Sequence, residues 1–362
     1  MSTPRRLEAG LEFCGLECDV EGPEPGAARR LFAAAPRRFE ALVSRREDVF
    51  LPIAIFLGLV ADADVDLDGL EVDPLLLRNV LAAARQHEAW TPRFRVPSVF
   101  GANEAPSTLK GQGVACFFSG GVDSFFTLTR HGGGFESEPT RATDRSIDFA
   151  AHVVHLDGLD KLASPPRLDE RLVEAARSLG AAFEPIYSNM MTLHPLWKRN
   201  YARITHGAGL ASVAHAFSSN IGQWLIASSH SYGGLKPWGS SPIVDPLYSG
   251  GGLRFIHDGS TFTRVEKTAF LARSPVALGA LNVCDKRSES GAYRNCSRCQ
   301  KCLRTMTALD LAGARGAAAF DWSAYAPDAF GHVYFKDWSE RSFALELAAA
   351  ARATGRGDIA EA

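Results

Sequence analysis

Between residues 113 and 228 the chain switches repeatedly between two hydrophobic rhythms. Residues 114–118 (Val-Ala-Cys-Phe-Phe) form a short continuous apolar run, followed by two glycines and a segment of helical spacing over 122–128. A second run, 149–156, ends in Asp157-Gly158. Helical spacing over 168–179 leads to a third run at 182–187, and helical spacing over 206–220 to a fourth at 223–228. Short apolar runs bounded by turn residues predict buried strands, and the longer 3.6-period segments predict helices. Alternation at this spacing predicts an α/β fold, a parallel sheet with helices on both faces. Ligands of such sheets collect beyond the C-terminal strand edges, where Ser119, Asp157 and Ser228 fall.

The first 112 residues follow another pattern. Residues 11–18 alternate loosely, as a half-buried strand does, which puts Cys14 and Cys18 on one face, as core thiols in preference to metal ligands. Residues 47–60 predict a helix. Residues 64–72 carry Val65, Leu67 and Leu70 among carboxylates and predict an exposed strand and turn with a solvated acidic face. Asp73-Pro74 ahead of Leu75, Leu76, Val80 and Leu81 predicts a capped helix with proline at its start. Residues 92–113, rich in Pro, Gly and Ser, read as a linker. The expected organisation is an N-terminal α+β accessory domain over 1–112, a nucleotide domain over 113–312 and a helical C-terminal extension over 313–362.

Ser119-Gly120-Gly121-Val122-Asp123-Ser124 sits at the first strand-to-helix junction. Two glycines let the backbone approach a ligand without an intervening Cβ, and a helix N-terminus favours an anion. Ser119 and Ser124 add hydroxyls, and Asp123 can hold Mg²⁺ beside phosphate oxygens. The expectation is an ATP site, although the run lacks the lysine and spacing of the GxxxxGKS loop. An ordinary Gly-Gly turn with a capping serine is the plain alternative. Asp157 reaches the ribose or a second metal, or is a turn former. The irregular stretch 229–242 offers Tyr232 and Trp238 as stacking faces for a planar ring, or is a packed surface loop. A further helix opens at Thr263-Arg264-Val265-Glu266-Lys267, where Lys267 either reaches the pyrophosphate or is a solvated surface lysine.

Composition narrows the class. The chain has 362 residues, 46% hydrophobic and 22% charged, which is globular, and its net charge of −2 gives no overall drive toward nucleic acid. The polar N-terminus shows no secretion signal, and the longest apolar run, 49–60, contains Pro52 and is too short to span a bilayer. A cytoplasmic protein with no membrane association is expected. Of seven cysteines, Cys284, Cys296, Cys299 and Cys302 supply four thiolates, enough for a closed tetrahedral Zn²⁺ site of structural role, with iron–sulfur ligation the alternative. Arg287, Arg294, Arg298, Lys301 and Arg304 surround it, either to receive an anionic substrate or RNA phosphate or as a solvated basic face.

The SGGVDS run resembles the signature of PP-loop ATP pyrophosphatases, which split ATP between the α and β phosphates. With the cysteine cluster downstream, residues 114–311 resemble the QueC family of 7-cyano-7-deazaguanine synthases. That resemblance implies a Rossmann-like (adenine nucleotide alpha hydrolase-like) fold. It matches the ATP-binding residues to Ser119, Gly120, Gly121, Val122, Asp123 and Ser124, and the zinc ligands to the four cysteines. It implies conversion of a deazapurine carboxylate to an amide and nitrile with ammonia and ATP, and a homodimer. The N-terminal 112 residues, the wide gap between Cys284 and Cys296, and Thr205-His206-Gly207 depart from the family. Related proteins with added domains occur in defence and modification clusters, where the activated carboxylate goes to a protein or nucleic-acid acceptor. Asp123, Ser119 and Lys267 are the expected catalytic groups. The rivals are a tRNA sulfur-transfer enzyme, which needs a reactive cysteine where Cys116 lies inside a strand, and a non-catalytic nucleotide-binding module.

Overall fold

A computed structural model describes residues 1–7, 12–22, 29–108, 111–132, 143, 145–284, 286, 295–331, 333–335 and 337–361. Its centre is a sheet of eight strands. Three come early: β1 (Arg5–Arg6), β2 (Phe13–Val20) and β3 (Arg29–Pro36). Two-residue strands β4 (Val65–Asp66), β5 (Glu71–Val72), β6 (Val99–Phe100) and β7 (Asn103–Glu104) pair separately, β4 with β6 and β5 with β7. The remaining strands of the main sheet are β8 (Gly113–Phe117), β9 (Phe149–His155), β10 (Ala182–Ser188), β11 (Ile221–Ala227) and β12 (Arg254–Asp258). The spatial order is β1-β2-β3-β10-β9-β8-β11-β12. From β10 to β12 all neighbours are parallel, whereas β3 joins β10 antiparallel, Ala34 opposite Tyr187.

Helices cover both faces of the parallel block, as the alternation predicts. Ala115 and Phe117 of β8 point to one core, with α1 (Leu51–Ala61), α2 (Pro74–Trp90), α5 (Pro195–Arg199) and α6 (His206–Ala216). Val114 and Cys116 point to the other, with α3 (Val122–His131), α4 (Glu170–Ser178), α7 (Arg264–Leu271), α8 (Pro275–Ala280) and α9 (Gln300–Leu311). The period of two along a strand makes this division. Two further helices, α10 (Trp338–Ala353) and α11 (Gly357–Ala360), follow. No described helix is long and apolar enough to cross a membrane.

Strands β1 to β3 of the early residues belong to the main sheet. Cys14, Leu16 and Cys18 of β2 lie in the same buried cluster as Trp224 of β11. Leu11, the first residue of the expected strand, lies outside the described residues. Arg46 bonds Asp48 and lies 3.8 Å from Asp73, in a buried network under α2. Asp73 also caps α2 by accepting the Leu75 N–H at 2.8 Å, ahead of Pro74, as read from the sequence. Two expectations change. Leu67 and Leu70 are fully buried, so the segment around them is not an exposed strand, although Asp62 and Asp64 meet Arg95 at the surface. Residues 92–113 are not a free linker, because β6 and β7 within them pair back onto β4 and β5.

Candidate functional site

The glycine loop lies where β8 ends. Gly120 adopts φ +79°, and a Cβ there would stand 2.6 Å from Leu172 Cδ2, so only glycine fits the turn. Gly121 is the N-cap of α3 and Val122 its buried first residue. Ser124 Oγ accepts the Ser119 N–H at 3.2 Å and lies 3.2 Å from Ser119 Oγ, which folds the loop back over the helix end. Ser119 itself is exposed. The loop is held from the far side by Asn282, whose N–H donates to the Gly120 carbonyl at 2.7 Å.

Two cations converge on Asp123. Arg264 donates Nη2 to Asp123 Oδ2, and Lys267 Nζ lies 3.5 Å from Oδ1. Thr263 and Glu266 close a reciprocal capping box that fixes where α7 starts and hence where both cations point. Lys267 is 1% exposed, so it is no surface lysine. Its Nζ donates to the Ser228 carbonyl at 2.6 Å and hydroxyl at 2.7 Å, at the end of β11. Burial pulls its pKa down from the usual lysine value, with Asp123 opposing and Arg264 reinforcing the fall. Asp123 Oδ1 is buried and has no hydrogen-bond partner, which leaves a carboxylate oxygen able to take a cation beside the loop. The loop, Ser228 and Lys267 thus meet at one edge of the sheet. Asp157 lies exposed at the end of neighbouring β9.

Behind the site, Asp258 at the end of β12 accepts from Thr127 at 2.7 Å and meets His131 at 3.0 Å and Arg130 at 3.5 Å. Burial alone would raise its pKa; bonding and charge from His131, with Thr127 and Arg130, outweigh that and hold it below the usual carboxylate value. This cluster ties α3, and so the glycine loop, to β12.

Sequence reading missed the rings packed against these cations. Phe343 of α10 has the Arg264 guanidinium 4.4 Å and the Arg304 guanidinium 4.3 Å from its ring centre, and His230 stacks on it at 5.0 Å with 4° between the rings. Burial, reinforced by Lys236 and Arg264, pulls His230 down to about 3, so this ring is neutral. No local pattern marks Phe343: it is one apolar residue on an amphipathic helix. Trp238 is already engaged, with Lys236 Nζ 4.4 Å from its ring centre, whereas Tyr232 is 56% exposed.

The four cysteines come together. Cys284 Sγ is 3.5 Å from Cys296 Sγ, Cys302 Sγ lies 3.8 Å from Cys296 and 3.5 Å from Cys299, and all four sulfurs fall within 4.8 Å of one another. A tetrahedral ion with bonds of about 2.3 Å sets its sulfurs about 3.8 Å apart, so the set fits a single metal ion. Asn295, fully buried, donates to the Leu281 and Ala319 carbonyls and accepts from Val283 N–H, which ties the residue before Cys296 to the segment that carries Cys284. Arg298 and Lys301 are exposed next to the cluster, Arg304 is buried, and Arg287 and Arg294 lie outside the described residues. Cys116 is fully buried and its thiol pKa is pushed far up by burial, the opposite of a reactive thiolate.

Comparison with known proteins places this geometry in context. Over 179 residues the chain is 25% identical to GMP synthase [glutamine-hydrolyzing] of Pyrobaculum aerophilum. The match covers 45% of this chain and 34% of the relative, so the chain spans about a third of the length of the curated relative it matches. No family model and no solved structure matches the chain.

Proposed function

We propose that the protein is an ATP-dependent ligase that activates a substrate carboxylate as an acyl-adenylate and transfers it to ammonia or an amine. The observation that carries this reading is the convergence of the glycine loop, Arg264 and buried Lys267 at the edge of a parallel sheet. Numbered within the parallel block, the strands run 3-2-1-4-5, the Rossmann-like order, and the loop follows strand 1, where the order reverses. The similarity to GMP synthase supports amide-forming chemistry in the broad sense.

Backbone N–H groups of Gly120 to Ser124 and the hydroxyls of Ser119 and Ser124 receive the leaving phosphates, and Lys267 and Arg264 offset their charge. Mg²⁺ would be held at Asp123 Oδ1 with phosphate oxygens and supplies further neutralisation there. A carboxylate oxygen of the substrate attacks the α-phosphorus, the bond to the bridging oxygen breaks and pyrophosphate leaves. The amine nitrogen then attacks the acyl carbon, AMP leaves and the nitrogen loses a proton. Positioning and charge stabilisation carry these steps, so no side-chain nucleophile is needed. Asp157 at the neighbouring strand end reaches toward the nucleotide ribose.

The narrower reading is a QueC-like enzyme of a 7-deazapurine carboxylate, with Zn²⁺ in the cysteine site as a structural staple and a homodimer as the working assembly. Zn²⁺ suits four thiolates with no open position. A protein or nucleic-acid acceptor in place of ammonia is the second version of the same chemistry. The test is a pyrophosphate-release screen over 7-deazapurine carboxylates, with and without ammonia, followed by product mass. AMP and an adduct of amide mass support the reading; ATP binding without AMP from any carboxylate points to a nucleotide-binding module instead.

A further inference from the structure

Arg304 is anomalous. It is 93% buried by its 7% exposure, its Nε has no hydrogen-bond partner, and it forms no ion pair among the described residues. Its neighbours are the Phe343 ring and a second cation, Arg264, whose own Nε is also buried and unpartnered, while the carboxylates of Asp123, Glu340 and Glu346 act on Arg304 by charge without bonding it. Two adjacent guanidiniums with unused buried donors, only one of them paired with a carboxylate, form a place where a further anion is stabilised.

The anion's place is taken by α10. Glu346 accepts the backbone N–H of Arg264 at 3.1 Å, at the first residue of α7, where an anion sits at a helix N-terminus. Its own pKa is raised, because burial outweighs that hydrogen bond and the charges of Arg264 and Lys267. Phe343 lies against both guanidiniums. Space left among Arg264, Arg304, Phe343 and Glu346 is about 10 Å³, no more than a single water needs. A phosphate enters only if the helix moves.

That helix packs apart from the two main cores. Of its buried residues Ser339, Phe343, Leu347 and Ala351, Leu347 joins Ala308 and Phe330 in a small satellite cluster, separate from both main cores, and a cavity of about 300 Å³ lies against the helix. Elements with little buried apolar contact open at low free energy. By contrast Arg264 and Arg304 sit on α7 and α9, which pack into the main core, and Arg304 follows Cys302 by two positions.

We infer that Arg264, Arg304 and the N-terminus of α7 form a polyphosphate-binding site beside the glycine loop, and that Glu346 and Phe343 occupy it as a built-in lid. The ligand class is the β,γ-phosphate tail of a nucleoside triphosphate or the pyrophosphate released from it. Binding of that tail and seating of α10 then exclude each other. The inference rests on the nucleotide reading of the same edge.

The test uses the full-length, metal-replete protein and titration calorimetry with three probes: Mg²⁺–pyrophosphate, Mg²⁺ with an ATP analogue carrying a methylene between the α and β phosphates, and AMP. Glu346→Gln removes the competing charge and should tighten pyrophosphate and the analogue about tenfold. Arg304→Gln should weaken both about tenfold or more, with partial rescue in Arg304→Lys, while AMP changes by less than about twofold. Thermal melts establish that each variant is folded. Hydrogen exchange adds a readout that charge alone does not move: amides of α10 should exchange faster when the analogue binds. Wild-type affinity in both Glu346→Gln and Arg304→Gln, or unchanged or slower exchange in α10, overturns the lid while leaving the nucleotide site standing. Failure of pyrophosphate and the analogue to bind any form of the protein overturns both.

Discussion

Asp123→Asn removes one charge from the site and almost nothing from its shape. The carboxylate is 18% exposed, faces Arg264 directly and has Lys267 Nζ at 3.5 Å. At an effective dielectric of about 20 that second contact alone is worth about 5 kcal/mol in Coulomb terms, before desolvation is set against it. Removing one partner of a buried pair costs about 3–5 kcal/mol, because the remaining charge stays buried without its counter-ion. Partial exposure of Asp123 argues for the lower end, about 3 kcal/mol. Lys267 bears most of the loss: burial already lowers its pKa, Asp123 raises it, and Arg264 lowers it further. In the variant Lys267 is therefore neutral over a wider pH range and serves phosphate less well. A domain of ordinary stability, about 5–15 kcal/mol, survives this, so the protein still folds. Urea unfolding at pH 7 should show the stability loss. Coupled pyrophosphate release at saturating Mg²⁺–ATP should fall about 10²- to 10³-fold, the usual effect of deleting one electrostatic contact to a developing charge. A variant with wild-type pyrophosphate release refutes the role given to Asp123, and one with wild-type stability refutes the energetic reasoning about Lys267.

Three other outcomes are expected. Gly120→Ala forces a side chain into a positive-φ position and against Leu172; it should cost about 2–4 kcal/mol in denaturant unfolding and weaken ATP binding by displacing the loop. Mass spectrometry of the native protein should find about one zinc ion per chain. Cys302→Ser should lose the ion and lower the melting temperature, whereas iron with visible absorbance would reassign the site. Asp258 is held below its unfolded pKa, so its contribution is complete above about pH 4 and disappears as pH falls through the lower native value. Acid unfolding of Asp258→Asn, less stable at neutral pH, should accordingly be less steep than that of the wild-type chain below pH 4.

Much of this was local and therefore legible in the chain. Strand and helix periods, the glycines of 118–124, the cap at Asp73 and the Thr263–Glu266 box act within a few residues, so the sequence carries them directly. Cysteine spacing likewise foretold the cluster, since Cys296, Cys299 and Cys302 lie within two turns of chain.

Tertiary structure decided the rest. A strand's period tells which face is buried but not which edge it joins, so nothing at 29–36 announced its antiparallel pairing with β10. Lys267 and a solvated lysine look alike in sequence; only the packing of α7 against α3 and β11 buries it on Ser228. Arg264, Arg304 and Phe343 are 40 and 39 residues apart along the chain, and no spacing rule links them. Their meeting around the Phe343 ring, with Arg264 on Asp123, is long-range packing, and it sets the charge beside the glycine loop.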